Sequence, residues 1–290
     1  MEDVMPHKPF ATVYKQLGFK EFPFSTSADT RYLYLSGQHQ LILEKLQDMV
    51  EARQGLCVVD GDTGVGKSTL ARRHYDLLTG EGGGAYLVVN IPTTVYKTSQ
   101  EVLSDIATRL GVPPGRSQQK LLANYETKLL ELHTAGQTPV VILDDAHMMR
   151  PACLEAFQYL YNFDVNYKLI QIIMLGQNPE LRALLERNRG LMSRIVIWQT
   201  LLPLPYADAL AMINFRTAVA GRSEPLLEES AFTRLFEFSG GIPRVMVILC
   251  GSMLSPLAEA NRRTANTLDV NQAIQRYEQR YRAVPEEAAS

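Results

Sequence analysis

Short blocks of consecutive apolar residues, each followed by a longer stretch with apolar positions every three or four residues, set the rhythm of the middle of the chain. The blocks fall at Leu56-Cys57-Val58-Val59, at 85–90 with Tyr86, Leu87, Val88 and Val89, at Val140-Val141-Ile142-Leu143, at 169–175 and at 195–198. None alternates apolar with polar, and a strand without alternation is covered on both faces, as in a parallel sheet. The helical period selects 38–53 (Leu41, Ile42, Leu46, Met49, Val50), 68–78 (Leu70, Ala71, His74, Leu77, Leu78), 99–110, 117–132 and a segment after Pro151 with Leu154, Phe157, Leu160 and Tyr161. Gly55 ends the first of these helices, and Pro113-Pro114-Gly115 separates two others. Asn178-Pro179 predicts a further helix start, with Asn178 as cap and Pro179 in the first turn. Strands alternating with helices predict an α/β domain over 37–202, a parallel five-stranded sheet flanked by helices.

Past Pro203 the strand blocks stop, and helical periodicity alone predicts 206–220, 228–238, 243–260 and 268–282. This predicts a smaller helical domain over 203–282. Residues 1–36 mix Phe19, Phe22, Phe24, Tyr32, Tyr34 and Leu35 with Pro23 and hydroxyl residues, which predicts an extended arm packing its aromatics on a neighbouring surface. Glu81-Gly82-Gly83-Gly84 predicts a flexible connector, and the polar residues 283–290 a disordered tail. No internal repeat is present.

Composition narrows the class without naming it. A hydrophobic content of 46% over 290 residues is ample for a buried core. The net charge of −2 offers no bulk attraction to nucleic acid or anionic membranes, so such binding must come from local patches. Cys57, Cys153 and Cys250 are far apart in apolar surroundings, which predicts reduced core thiols and no metal-ligand cluster. The apolar runs are strand-length, well short of a membrane span. Met1-Glu2-Asp3 has no apolar run behind it, so no signal peptide is predicted and the expected location is cytoplasmic.

The polar positions that interrupt the rhythm carry the chemistry. Between the first strand and its helix lies Gly61-Asp62-Thr63-Gly64-Val65-Gly66-Lys67-Ser68, followed by Thr69. It fills every position of the pattern G-x-x-x-x-G-K-[ST], in the strand-to-helix context that pattern needs. The glycines let backbone N–H groups converge on phosphate oxygens, and the following helix directs its positive end at them. Gly61 through Thr69 are therefore candidate ATP-binding residues, with Lys67 for the β- and γ-phosphates and Ser68 for Mg²⁺. The third apolar block ends in Asp144-Asp145, at the carboxyl end of a buried strand, where open α/β sheets bind ligands. Asp144 is the candidate to orient Mg²⁺ through its water shell, and Asp145 to polarise the attacking water. His147 gives the motif a superficial likeness to helicases of the DEAH type. Those have two nucleotide-fold domains where this sequence predicts one, so a structural or coupling role is expected.

With both nucleotide motifs in place, the chain resembles the AAA+ ATPases, and among them the branch of the ExeA/GspA secretion ATPases and the TnsC and TniB type transposition regulators. Gly18-Phe19-Lys20-Glu21-Phe22-Pro23-Phe24-Ser25 and Arg31-Tyr32-Leu33-Tyr34-Leu35-Ser36 are similar to the amino-terminal signature of that branch. The segment from Ile172 to Leu181 is similar to its sensor one, and Gly240-Gly241-Ile242-Pro243-Arg244 to its sensor two. The resemblance implies that 203–282 form a lid on an AAA+ P-loop NTPase domain. It implies that Gln177 contacts the γ-phosphate or its attacking water, Asn178 being the other candidate. Arg244 would reach the nucleotide from the lid, and Arg194 would be the arginine finger completing a neighbouring subunit's site in a homo-oligomer. The plainer alternatives are a helix-capping Gln177 and solvated surface arginines. Where the family usually has glutamate, this chain has Asp145, one methylene shorter, and a misplaced water implies slow hydrolysis.

The TnsC and TniB members imply double-stranded DNA threaded through, or tracked by, a ring or filament of subunits. Candidate backbone contacts are Lys97 and Thr98 after the second strand, and Arg116 and Lys120 before the helix at 117–132. Ordinary exposed polar loops are the alternative. The expectation is an ATP-dependent regulator of DNA transposition that assembles on target DNA, offers a platform to transposase subunits and a target-selector protein, and disassembles on hydrolysis. One rival is a secretion-system assembly ATPase of ExeA/GspA type, which would carry a membrane-spanning segment and a cell-wall-binding extension after the lid, where this sequence stops at Ser290. The other is a nucleotide-gated scaffold without useful turnover.

Overall fold

The five apolar blocks become five parallel strands in the computed structural model, which describes residues 10–27, 29–80 and 84–282. They are β1 (Leu56–Gly61), β2 (Tyr86–Ile91), β3 (Thr138–Leu143), β4 (Gln171–Gln177) and β5 (Ile195–Leu201), in the spatial order β2-β3-β4-β1-β5. Before and between them run α1 (Phe10–Gln16), α2 (Gly37–Glu51), α3 (Lys67–Gly80), α4 (Ser99–Leu110), α5 (Gln118–Thr134), α6 (Leu154–Tyr161), α7 (Glu180–Glu186) and α8 (Arg189–Met192). After them come α9 (Tyr206–Val219), α10 (Glu229–Ser239), α11 (Pro243–Glu259) and α12 (Thr267–Arg282). Residues 1–9, the connector at 81–83 and the tail at 283–290 lie outside the described residues. Two compact units result, one of 37–202 and one joining the residues up to Ser36 to those from Pro203 onward.

In the first unit, Leu56, Val58, Val89, Ile91, Val141, Leu143, Ile172 and Met174 share one core with Val102, Ile106, Tyr125, Phe157 and Leu181 of the helices. The strand residues between them, such as Cys57, Val59, Val140 and Ile173, are just as buried and face the other way. On that side α3 packs on β1, β2 and β4, and α2 on β5. Coverage of both faces explains why the strands read as unbroken apolar runs. Thr98 caps α4, its hydroxyl oxygen accepting the Glu101 N–H at 3.2 Å, and Ser117 caps α5 by accepting the Lys120 N–H at 3.2 Å.

One expected cap is corrected. Pro179, not Asn178, stands at the N-cap position of α7. β4 runs on to Gln177, and the Asn178 N–H is already used, donating to the Gly61 carbonyl at 3.2 Å. The helix therefore starts one residue later.

In the second unit, the residues read as an extended arm contribute to the core itself. Val13, Leu17, Phe19, Phe24 and Tyr32 are buried with Ile213, Phe232, Leu249, Leu254 and Val270 of the four carboxyl-terminal helices. Two arginines tie that segment down: Arg216 donates to the carbonyls of Pro23 (2.9 Å), Ser25 (2.7 Å) and Tyr32 (3.2 Å), and Arg222 to that of Leu17 (3.1 Å). Among the described residues no helix is long and apolar enough to cross a membrane. The three cysteines are buried free thiols.

Candidate nucleotide site

Parallel pairing puts the ends of β1, β3 and β4 side by side, with Gly61 opposite Gln177, and Asp144 immediately after Leu143, which pairs with Met174. The loop leaving β1 needs its glycines for space and for backbone angle. A Cβ on Gly61 would collide with the Leu201 carbonyl oxygen and stand 3.2 Å from Val65, while Gly64 and Gly66 have φ of 84° and 116°. Val65 is buried and anchors the loop, Asp62, Thr63 and Ser68 are exposed, and Thr69 is half-buried.

Lys67 begins α3 with its side chain buried, and its ammonium donates to the Gly61 and Asp62 carbonyls, both at 2.8 Å. Burial pulls its pKa below the usual lysine value, against the pull of Asp144, then Asp145, Asp62 and Asp60. Asp144 is also buried, and burial pushes its carboxyl above the usual aspartate value. The Ser68 hydroxyl and the Asp145 N–H, the latter at 3.0 Å, donate to it and hold it partly back. A buried cation, a buried acid and a hydroxyl on that acid fit a phosphate chain with a divalent ion. The ion would have Ser68 and Asp144 as protein partners and take its other oxygens from phosphate and water. Among the described residues no cluster of three or more His, Cys, Asp or Glu stands as a rival metal site.

Asp145 has left-handed backbone angles (φ 48°, ψ 37°), unusual without glycine, and its side chain is half-exposed. The Thr94 hydroxyl holds that backbone by donating to the Asp145 carbonyl at 2.7 Å. Gln177 is half-buried, and its N–H donates to His147 Nδ1 at 3.2 Å.

Three residues of this neighbourhood were not singled out from sequence for what they do. Thr94 is one hydroxyl among several in the polar stretch after β2. For His147 the sequence predicts a structural or coupling role, without a partner to name. Asp60 is fully buried, with one carboxylate oxygen accepting the indole N–H of Trp198 at 2.9 Å and the other without a partner among the described residues. An acid closing an apolar strand just ahead of a phosphate loop was the available signal.

The remaining candidates are on other elements. Arg194 precedes β5 at the amino end of the sheet, a strand length of about 20 Å from the edge where Gly61 lies. Its guanidinium donates to the Gly190 carbonyl at 2.5 Å and to Asn162 at 3.4 Å, and lies over the Tyr161 ring. It does not reach the loop of its own unit. Arg244 is exposed in the first turn of α11, in the second unit. Lys97, Thr98, Arg116 and Lys120 are all exposed beside the amino ends of α4 and α5. The Thr98 oxygen is engaged in capping, and the Lys97 N–H donates to Glu101 at 2.8 Å.

This fold and this site define an AAA+ ATPase, an enzyme that works on a nucleotide with a divalent metal. A family model described as an AAA domain matches residues 50–185. The chain is similar to General secretion pathway protein A of Aeromonas hydrophila: it is 33% identical over 242 residues, covering 82% of this chain and 43% of that protein. It thus spans less than half the length of that relative. Among solved structures, Cdc6p from Pyrobaculum aerophilum has a TM-score of 0.65 at 18% identity, covering 88% of this chain and 70% of that one. The ORC1 protein of Aeropyrum pernix, in complex with DNA, has a TM-score of 0.63 at 16% identity, covering 91% and 74%. The RuvB Holliday junction branch migration motor of Thermotoga maritima gives 0.56 at 17%, covering 88% and 73%. At such identities the structures speak for the fold alone.

Proposed function

We propose that this chain is an assembly ATPase of the General secretion pathway protein A kind, whose subunits associate with ATP bound and part after hydrolysis. The observation that carries it is the buried pair Lys67 and Asp144, with the exposed Ser68 hydroxyl on Asp144, in a chain 33% identical to that protein over 242 residues. In this reading residues 37–202 are the nucleotide domain and 203–282 its lid. Backbone N–H groups from Gly61 to Thr69 hold the phosphates, Lys67 grips the β- and γ-oxygens, and Ser68 and Asp144 hold Mg²⁺. Asp145 takes the proton of the attacking water, Gln177 orients that water, and Arg244 senses the nucleotide from the lid. Arg194 serves the neighbouring subunit's site: it stands at the far end of the sheet from its own loop, so it works only across a subunit boundary. The chain acts from the cytoplasmic side. The test is sedimentation of the protein with ATP, with ADP and with neither. The ATP sample alone should form larger species, and Lys67→Ala should abolish them; equal assembly by that variant would end the proposal.

A second reading keeps the switch and changes what it assembles on. Lys97, Arg116 and Lys120 are exposed cations near helix amino ends, and the fold is also that of an ORC1 protein solved with DNA. They favour an ATP-dependent regulator of DNA transposition, with a homo-oligomer on double-stranded DNA meeting transposase subunits and a target-selector protein. Phosphate release with and without duplex DNA separates the readings. Salt-dependent DNA stimulation, lost on triple alanine substitution of those cations, supports the second reading. Indifference to DNA supports the first, and no release at all indicates a scaffold.

A further inference from the structure

His147 is the side chain where the two elements expected to handle the attacking water meet. It lies in the short turn Ala146–Met148 after Asp145, only 14% of its side chain is exposed, and the catalytic scheme above gives it no task. Its Nδ1 accepts the Gln177 N–H at 3.2 Å. A backbone N–H can only donate, so Nδ1 carries a lone pair and the imidazole is neutral, with its proton on Nε2. The same Nδ1 lies 4.0 Å from the nearer Asp145 carboxylate oxygen. Two acceptors at that distance do not bind one another, so the imidazole borders the carboxylate without neutralising it. A lysine or arginine at this position would pair with Asp145 and weaken it as a base. The approach of β4 to this turn depends on Gly176, where a Cβ would stand 2.9 Å from Leu181 and 3.2 Å from the His147 nitrogen. Side chain and backbone of His147 thus both meet the end of β4.

We propose that His147 is a positioning residue for ATP hydrolysis, fixing the backbone of Gln177 against Asp145 through Nδ1 while leaving the Asp145 carboxylate unpaired. The inference rests on the roles assigned to Asp145 and Gln177 above. Binding of nucleotide does not depend on it, because His147 reaches neither Lys67 nor Ser68 by any hydrogen bond described. The effect belongs in kcat.

Steady-state phosphate release and equilibrium binding of a fluorescent ATP analogue, measured on the full chain, test this with three substitutions. His147→Ala removes the acceptor and is expected to lower kcat on the order of tenfold with affinity held within about twofold, as misplacement of a reacting group does. His147→Asn puts an amide oxygen where Nδ1 stands and restores most of the rate. His147→Gln, whose amide reaches the Nε2 position instead, does not. A parental rate in the alanine variant, equal rescue by Gln and Asn, or a parallel loss of rate and affinity overturns the proposal. If the alanine variant does not fold, the Asn and Gln pair decides alone. Asp145→Asn run alongside separates the layers: if it keeps parental turnover, the assignment of Asp145 has failed. If it stops turnover while the His147 variants do not, only this inference has failed.

Discussion

At the carboxyl end of the sheet Lys67, Asp144 and Asp60 are buried, and Asp60 keeps one oxygen without a partner among the described residues. At the amino end, where the chain enters the strands, the charged groups are exposed or half-buried and each has company. Lys168 donates to Asp164 at 2.6 Å and lies 4.1 Å from the centre of the Tyr161 ring. Arg53 lies over the Tyr167 ring and hydrogen-bonds His133 at 3.0 Å, beside an open cavity of about 450 Å³ lined by Gln54, Val165 and Val196. One end pairs its charges with opposite charges, rings and solvent, and the other buries a cation and two acids, with Lys67 donating to backbone carbonyls. The difference teaches where stability is given up for chemistry: burial opposes the charged forms of Lys67 and Asp144 at the carboxyl end, while the charges of the amino end keep access to solvent.

Substitutions that remove charge from the two ends should therefore have opposite signatures. The largest effect is expected at Asp145, where Asp145→Asn should slow phosphate release by about a hundredfold or more with nucleotide affinity retained. Asp145→Glu should raise turnover above the parent if the missing methylene limits the rate; an unchanged rate would show that reach is not the limit.

A smaller effect, on stability, is expected at Asp144. Its folded pKa lies above the unfolded value because of burial, so the stabilising contribution is full below the unfolded pKa and is lost as pH rises through the folded pKa. At pH 7 the nucleotide-free protein carries that cost. Asp144→Asn should raise its thermal midpoint by about 2 °C or more while Mg²⁺-dependent ATP binding is lost. The advantage should shrink as the pH is lowered toward 4, and a lower midpoint at pH 7 would break the comparison. The smallest effect is at the amino end: Lys168→Ala loses an exposed ion pair and a ring contact and should lower stability by about 1 kcal/mol. Denaturant titration measures it. Turnover should not change, and a fall would mean this end also takes part in catalysis.

Most of the sheet was legible because its strands are buried on both faces, and burial of that kind leaves runs such as Val140–Leu143 that no other element explains. The end of β5 was harder. Gln199 and Thr200 are polar, yet they pair with Val59 and Asp60, and nothing local announces a strand whose reason is its neighbour. α1 was missed for a similar cause: Val13 and Leu17 are apolar only usefully, against helices some two hundred residues away in sequence. The phosphate loop and Asp144 could be placed from sequence because spacing alone fixes their geometry. Thr94, Asp60 and the contact of His147 with Gln177 could not, since each is a meeting of segments that only the packed sheet brings together.

The bond from the Trp198 indole to Asp60 has a practical corollary. The chain has a single tryptophan, and its indole is tethered to the residue immediately before Gly61, whose carbonyl receives the Lys67 ammonium. When phosphate oxygens draw that ammonium away, the tether should feel it, so the intrinsic emission of unlabelled protein becomes a gauge of loop occupancy. Titration with ATP and Mg²⁺ should shift or quench that emission, and Trp198→Phe should silence the signal.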